Sequence, residues 1–231
     1  MTFRLIAIAI AVGALLLAPA GGAAHSLEEL NRTLFDREKY FQTMDAATPD
    51  FVLQDSSGKP VRLADLRGKV VVLHFVYASC PDECPLHAEK LAEVQKMVNI
   101  TPMKGEVEFI TITTDPSRDT PEVMRRYGPD HGLDPANWLF LTSGSYEPED
   151  TTRKLAEKFG LTFTRTAEGM QMHGIVTNVI DREGRWRARF HGLEFQSVNL
   201  VLFVNALVND VHKPAAAAPE QSFWSRLLSL F

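Results

Sequence analysis

Cysteine is nearly missing from this chain: 231 residues include two, Cys80 and Cys84, with three residues between them. A pair so close encloses too small a loop to staple a fold effectively, and a domain of this length can bury its own core without one. A structural zinc site built from two cysteine pairs is excluded, because there is no second pair. A basic excess is missing too. Lys and Arg number 24 against 29 Asp and Glu, net charge −5, with both signs scattered along the chain. No stripe of cations marks a nucleic-acid footprint, so nucleic acid is not an expected partner. No internal repeat is visible.

Charge itself is missing from one stretch. Behind Met1–Arg4, with its single cation, no charged residue occurs from Leu5 through Ala24. The apolar part, Leu5–Ala18, runs into Pro19-Ala20-Gly21-Gly22-Ala23-Ala24, small residues of the kind a signal peptidase cuts after. The uncharged stretch is also long enough to cross a bilayer. Residues 1–24 therefore read as a signal peptide or a retained membrane anchor. Either one exports the rest of the chain, with Arg4 on the N-terminal flank directing it to the periplasmic side of the inner membrane. No cysteine lies near this segment, so a lipid anchor on Cys is not expected there.

The whole chain is 45% apolar and 23% charged, and the length left after residues 1–24 suits one folded domain. Residues 25–48 form an amphipathic lead-in, and residues 49–213 carry the domain. Around the turn Asp55-Ser56-Ser57-Gly58, the segments Phe51–Leu53 and Val61–Leu63 read as a hairpin. The apolar run Val70–Val76 fits a strand buried on both faces, and Leu91, Val94 and Val98 sit at helical spacing after it. Val107–Thr113 and Trp138–Leu141 are further strands. Between them, Asp119 or Thr120 caps a helix with Pro121 at its first position and Val123, Met124 and Tyr127 inward. A helix over Glu147–Phe159 stops at Gly160. A hairpin of Ile175–Ile180 and Arg185–Phe190 and a helix from Ser197 to about Lys213 complete the order. The expected fold is α/β, a thioredoxin-like three-layer sandwich with a mixed central sheet and an added N-terminal hairpin. Residues 214–221 read as a Pro/Ala linker. In the tail 222–231, Phe223, Trp224, Leu227, Leu228 and Phe231 share a helical face, suited to a membrane surface, a partner, or the domain itself.

The chemistry concentrates in Tyr77-Ala78-Ser79-Cys80-Pro81-Asp82-Glu83-Cys84-Pro85. It follows the most apolar strand and precedes a helix, at the sheet edge where open α/β folds place their sites. Both cysteines precede proline, which disfavours helical backbone there and puts Cys84 near the helix N-cap, where orphan N–H groups favour thiolate. Two close thiolates suit a soft cation, Cu(I) above the others. A third ligand must come from the seven histidines. His74 reads as a core residue. His25 stands at the mature N-terminus expected after cleavage, and His131, His191 and His212 show no tie to the cysteines. His87 lies three residues after Cys84, and His173 lies in a loop at the entrance of the strand from Ile175, where Met170 and Met172 make its surroundings soft. On spacing and chemistry, His87 and His173 remain rivals.

The stretches Gly68–Val72, Cys80–Pro85 and Asp115-Pro116-Ser117-Arg118-Asp119-Thr120-Pro121 resemble the Sco/SenC family, and the likeness extends roughly from Pro49 to Lys213. The resemblance implies a thioredoxin-like copper protein of cytochrome c oxidase assembly, binding Cu(I) or Cu(II) through Cys80, Cys84 and His173. It implies the copper-bearing oxidase subunit as partner, with a thioredoxin-like reductant and other copper chaperones alongside. The chain departs from the family in flanking His173 with Met172 and Gly174, which leaves Met172 as a candidate auxiliary ligand. Asp115, at a strand end, is a second candidate auxiliary group, against its plainer reading as part of a turn. Asp119 and Thr120 read as turn and cap residues. The alternative activity is a thiol-disulfide oxidoreductase with Cys80 and Cys84 as its redox pair, or a redox or copper sensor. Against the oxidoreductase, the spacing is one residue wider than Cys-x-x-Cys.

Overall fold

A computed structural model describes residues 27–145, 147–165 and 171–210. The expected signal peptide or anchor, the linker 214–221 and the tail 222–231 lie outside the described residues. No described helix is long and apolar enough to cross a membrane.

Three parallel strands form the centre of the sheet: β4 (Val70–Val76), β5 (Val107–Thr113) and β6 (Trp138–Leu141). On the other side of β4 the sheet turns antiparallel through β9 (Val176–Ile180), β10 (Arg185–His191) and β1 (Phe41–Ala47). The complete order is β1-β10-β9-β4-β5-β6, a mixed six-stranded sheet. Every residue of β4 and β5 is buried, because both faces are covered. Val70, Val72 and Val76 enter one core, whereas Val71, Leu73 and Phe75 enter the other. That two-sided burial explains an unbroken apolar run where a half-exposed strand would alternate.

The first core is roofed by α1 (Leu27–Arg37), α2 (Glu83–Asn99), α3 (Pro121–Asp130) and α5 (Ser197–Asp210), which contribute Leu34, Leu91, Met124 and Phe203 among others. The second is covered by α4 (Thr151–Lys158) and by the hairpin of β2 (Val52–Gln54) and β3 (Pro60–Arg62). The result is a three-layer sandwich. Another short hairpin, β7 (Phe163–Arg165) with β8 (Gln171–His173), precedes β9.

Some expectations are corrected. The lead-in segment supplies α1 and the edge strand β1, which pairs with β10 from Phe41↔Phe190 to Ala47↔Arg185. Its pattern did not announce a strand, because an edge strand faces solvent over much of its length; only Phe41 is fully buried there. Helix α4 begins at Thr151 rather than Glu147, since the Thr151 N–H closes a turn on the Pro148 carbonyl at 3.0 Å. Its end is as expected: Gly160 takes φ +79°, and Leu161 N–H reaches the Ala156 carbonyl at 3.1 Å. In α3 the buried face is Met124, Tyr127 and Gly128, and Val123 turns to solvent at 37% exposure. Thr120 is the cap, accepting the Val123 N–H.

Candidate metal centre

Strands β4 and β5 are parallel, so both deliver their following loops to one end of the sheet. Strand β9 runs antiparallel to β4 with His74 opposite Thr177, so β9 starts where β4 finishes. Three segments therefore meet at this end. They are the cysteine loop after β4, the Asp115–Thr120 segment after β5, and the chain entering β9 from β8, whose last residue is His173. Topology brings these segments together although they are far apart in sequence. The backbone of His173 and Met172 lies in β8, opposite Phe163 and Thr164; their side chains lie outside the described residues.

The cysteine loop begins as a turn, with Cys80 N–H donating to the Tyr77 carbonyl at 3.0 Å. Helix α2 starts at Glu83, so Cys84 is its second residue and Pro85 its third, one step earlier than the proline rule suggests. Pro85 loses no helical bond there, because N–H groups of the first turn have no partner within the helix. Helical backbone at Cys84 is held by burial of its side chain, 3% exposed, and by the Tyr127 hydroxyl donating to its carbonyl at 3.1 Å. Both cysteines are free thiols; Cys80 is half-buried and Cys84 buried.

The two sulfurs are unequal. Burial raises the Cys80 thiol, but hydrogen bonds from Cys84, from the N–H groups of Asp82 and Cys84 and from the Tyr77 hydroxyl outweigh it, leaving Cys80 below the ordinary thiol value. Cys84 is pushed well above it, first by burial and then by its role as hydrogen-bond partner of Cys80, which the Tyr77 backbone only partly offsets. The Tyr77 hydroxyl is itself driven up by burial and by its bond to Cys80. Cys80 is thus the thiolate-prone, accessible sulfur beside a shielded thiol. Two adjacent soft donors, one readily ionised, fit copper chemistry. Among the described residues no group of three His, Cys, Asp or Glu side chains stands ready for a metal.

His87 shares the buried face of α2 with Cys84, but as a core residue. It is fully buried, with Nε2 2.8 Å from the Thr177 hydroxyl, and its ring meets His74 edge-on at 4.7 Å. His74, as expected of a core residue, is 1% exposed and lies 3.3 Å from the Thr111 hydroxyl. Asp115 is buried but engaged locally, accepting from the Ser117 hydroxyl at 3.0 Å and pairing with Arg118. The residue that sequence reasoning missed is Asp119. It does more than shape a turn: both carboxylate oxygens accept the Ala78 N–H, at 3.2 and 3.0 Å, and one accepts the Thr113 hydroxyl. Burial raises its pKa, against those hydrogen bonds. No local pattern could reveal a bond that spans 41 positions; only its place in a family motif hinted at it.

The model of the SCO1/SenC family matches residues 41–202. An SCO2-like protein of Rickettsia prowazekii is 29% identical over 147 residues, covering 61% of this chain and 67% of that one. The mitochondrial SCO2 homolog of Homo sapiens is 41% identical over 78 residues, 34% of this chain and 29% of its own length. The chain thus spans about two thirds of the rickettsial relative and under a third of the mammalian one. Among solved structures, a SCO1/SenC family lipoprotein of Bacillus anthracis aligns with TM-score 0.63 at 26% identity, covering 72% of this chain and 97% of that one. ScoI of Bradyrhizobium japonicum, solved with copper bound, aligns with TM-score 0.57 at 28% identity over 70% and 99% of the two chains. BsSco, described as a member of the Sco family of cytochrome c oxidase assembly proteins, shares the thioredoxin-like fold with TM-score 0.63 at 22% identity over 73% and 96%.

Proposed function

The chain belongs to the SCO1/SenC family, and from that membership we propose that it is a copper metallochaperone of cytochrome c oxidase assembly. Cys80, Cys84 and His173 take up copper as cargo and pass it by ligand exchange to the copper-bearing oxidase subunit. The observation that carries this reading is the free, mutually hydrogen-bonded pair of thiols at the start of α2, at the sheet end where the chain through His173 enters β9. The copper-bound Bradyrhizobium relative supports it. An accessible site at a loop and helix start suits transfer, because an incoming ligand can reach Cys80 before Cys84 is released.

The test is copper titration of the reduced protein against a competing chelator, with visible spectra. Cys80→Ser and Cys84→Ser should each abolish high-affinity binding. His173→Ala should keep weakened Cu(I) binding and lose the thiolate-to-Cu(II) absorption. A normal spectrum and affinity in His173→Ala would remove that residue from the ligand set, and Met172→Ala would then be the next variant to measure.

A second reading rests on the inequality of the two sulfurs. An ionisable, accessible Cys80 beside a shielded Cys84 is also the arrangement of an attacking and a resolving thiol, so the pair could reduce the cysteines of the oxidase copper site, recharged by a thioredoxin-like reductant. Insulin reduction by the same preparation at rates near those of a thioredoxin would put this reading first. Residues 1–24 export the domain to the periplasmic side in either case. An active alkaline phosphatase fusion after Lys213 is the expected outcome, and a cytoplasm-facing fusion overturns it.

A further inference from the structure

Asp119 lies 2% exposed behind the cysteine loop, at the end of the segment that follows β5. Its carboxylate takes the Ala78 N–H on both oxygens, at 3.2 and 3.0 Å. That N–H belongs to the peptide unit joining Tyr77 to Ala78, and the carbonyl of the same unit accepts the Cys80 N–H at 3.0 Å. Because a peptide unit is planar, fixing its N–H fixes the direction of its C=O. The Cys80 backbone is therefore oriented through one rigid plane whose other edge is held by Asp119. The carboxylate is itself braced by the Thr113 hydroxyl, which also takes the Asp115 N–H at 2.9 Å. Thr114 adds a parallel tie, its N–H meeting the Val76 carbonyl at 2.7 Å where β4 ends. Helix α3 does not need Asp119 as a cap, since Thr120 fills that place. A buried carboxylate that does not cap its helix is costly unless its hydrogen bonds organise something.

We infer that Asp119 is a positioning residue for the metal site, setting the orientation of Cys80 through the Tyr77–Ala78 peptide. The inference rests on the copper reading for its consequence but not for its geometry. Residues that orient metal ligands from behind typically contribute about 10–100-fold to affinity. Asp119→Ala should weaken Cu(I) binding by about that factor and shift or broaden the thiolate-to-Cu(II) absorption. Asp119→Asn keeps one acceptor oxygen in place of two and should fall between that variant and the unaltered protein.

The control is Thr120→Ala, which removes the neighbouring cap. It should lower the melting temperature while leaving copper affinity and absorption unchanged. Amide exchange at Ala78 reads the same tie without metal: it should be faster in Asp119→Ala and unchanged in Thr120→Ala. If the unaltered protein binds no copper but Ala78 exchange responds as expected, the copper reading fails and the positioning role stands. If the unaltered protein binds copper and folded Asp119→Ala keeps its affinity, absorption and Ala78 exchange, the positioning role is overturned. Should Asp119→Ala not fold, Asp119→Asn decides, and unaltered affinity and exchange in that variant overturn the role as well.

Discussion

At the scale of single residues, the environment of each sulfur sets its chemistry. Hydrogen bonds from the start of α2 and from Tyr77 hold the half-buried Cys80 below the ordinary thiol value, while burial pushes Cys84 above it. Since thiolate is the reactive form, alkylation of the reduced protein should label Cys80 first, at a pH below that needed by an ordinary thiol. Peptide mapping after brief iodoacetamide treatment reads the order, and equal labelling at neutral pH would contradict the asymmetry. His87 behaves differently. Its imidazole fills the core between α2 and β9, so His87→Ala should cost on the order of 2–4 kcal/mol through the cavity and the hydroxyl of Thr177 left without it. Urea denaturation measures that loss, and copper affinity should stay unchanged in the folded fraction. Helical spacing made His87 a rival ligand, and it does share the buried face of α2 with Cys84; what a sequence does not carry is that the ring is engaged there with His74 and Thr177.

The behaviour of whole elements follows from the faces they bury. Helix α3 packs so closely on β6 that a Cβ at Gly128 would come within 2.5 Å of the Trp138 ring. Gly128→Ala gains helix propensity yet should destabilise by about 1–3 kcal/mol, because overpacking outweighs the backbone gain. A stabilised Gly128→Ala in thermal denaturation would mean that Trp138 can swing away. The cap of the same helix is simpler: Thr120→Ala should cost about 1 kcal/mol, the usual worth of a hydroxyl acceptor at this position. Of these two residues only the cap was legible in the sequence. Thr120-Pro121 announces a helix start by local chemistry alone, whereas the close approach that requires glycine at 128 comes from a strand further along the chain.

For the molecule as a whole, the antiparallel half of the sheet closes on a strand drawn from the lead-in segment. Phe41 packs against Phe190 and Phe203 with ring centroids 5.1 and 5.3 Å apart, and Glu38 accepts from Gln196 N–H and the Asn199 amide at the start of α5. Deleting residues 27–47 should therefore expose β10 as an edge and lower stability by several kcal/mol, since the buried Phe41 ring is removed from between its two aromatic neighbours. A deletion variant with an unchanged melting temperature would show that β1 is dispensable. By itself the sequence determined the order of strands and helices from Phe51 onward apart from the β7–β8 hairpin, the doubly buried character of β4, the helix stop at Gly160, and the cysteine pair as the one cluster of soft thiol donors. These are local signals: periodicity, turn residues and adjacent donors, each decided within a few positions of chain. Only the tertiary structure decided that β1 joins the sheet, that His87 belongs to the core, and that Asp119 rather than Asp115 holds the cysteine loop. It also set the two thiols apart in acidity. Those outcomes depend on groups brought together across tens of residues, where burial and hydrogen-bond geometry exist only once the sheet has formed.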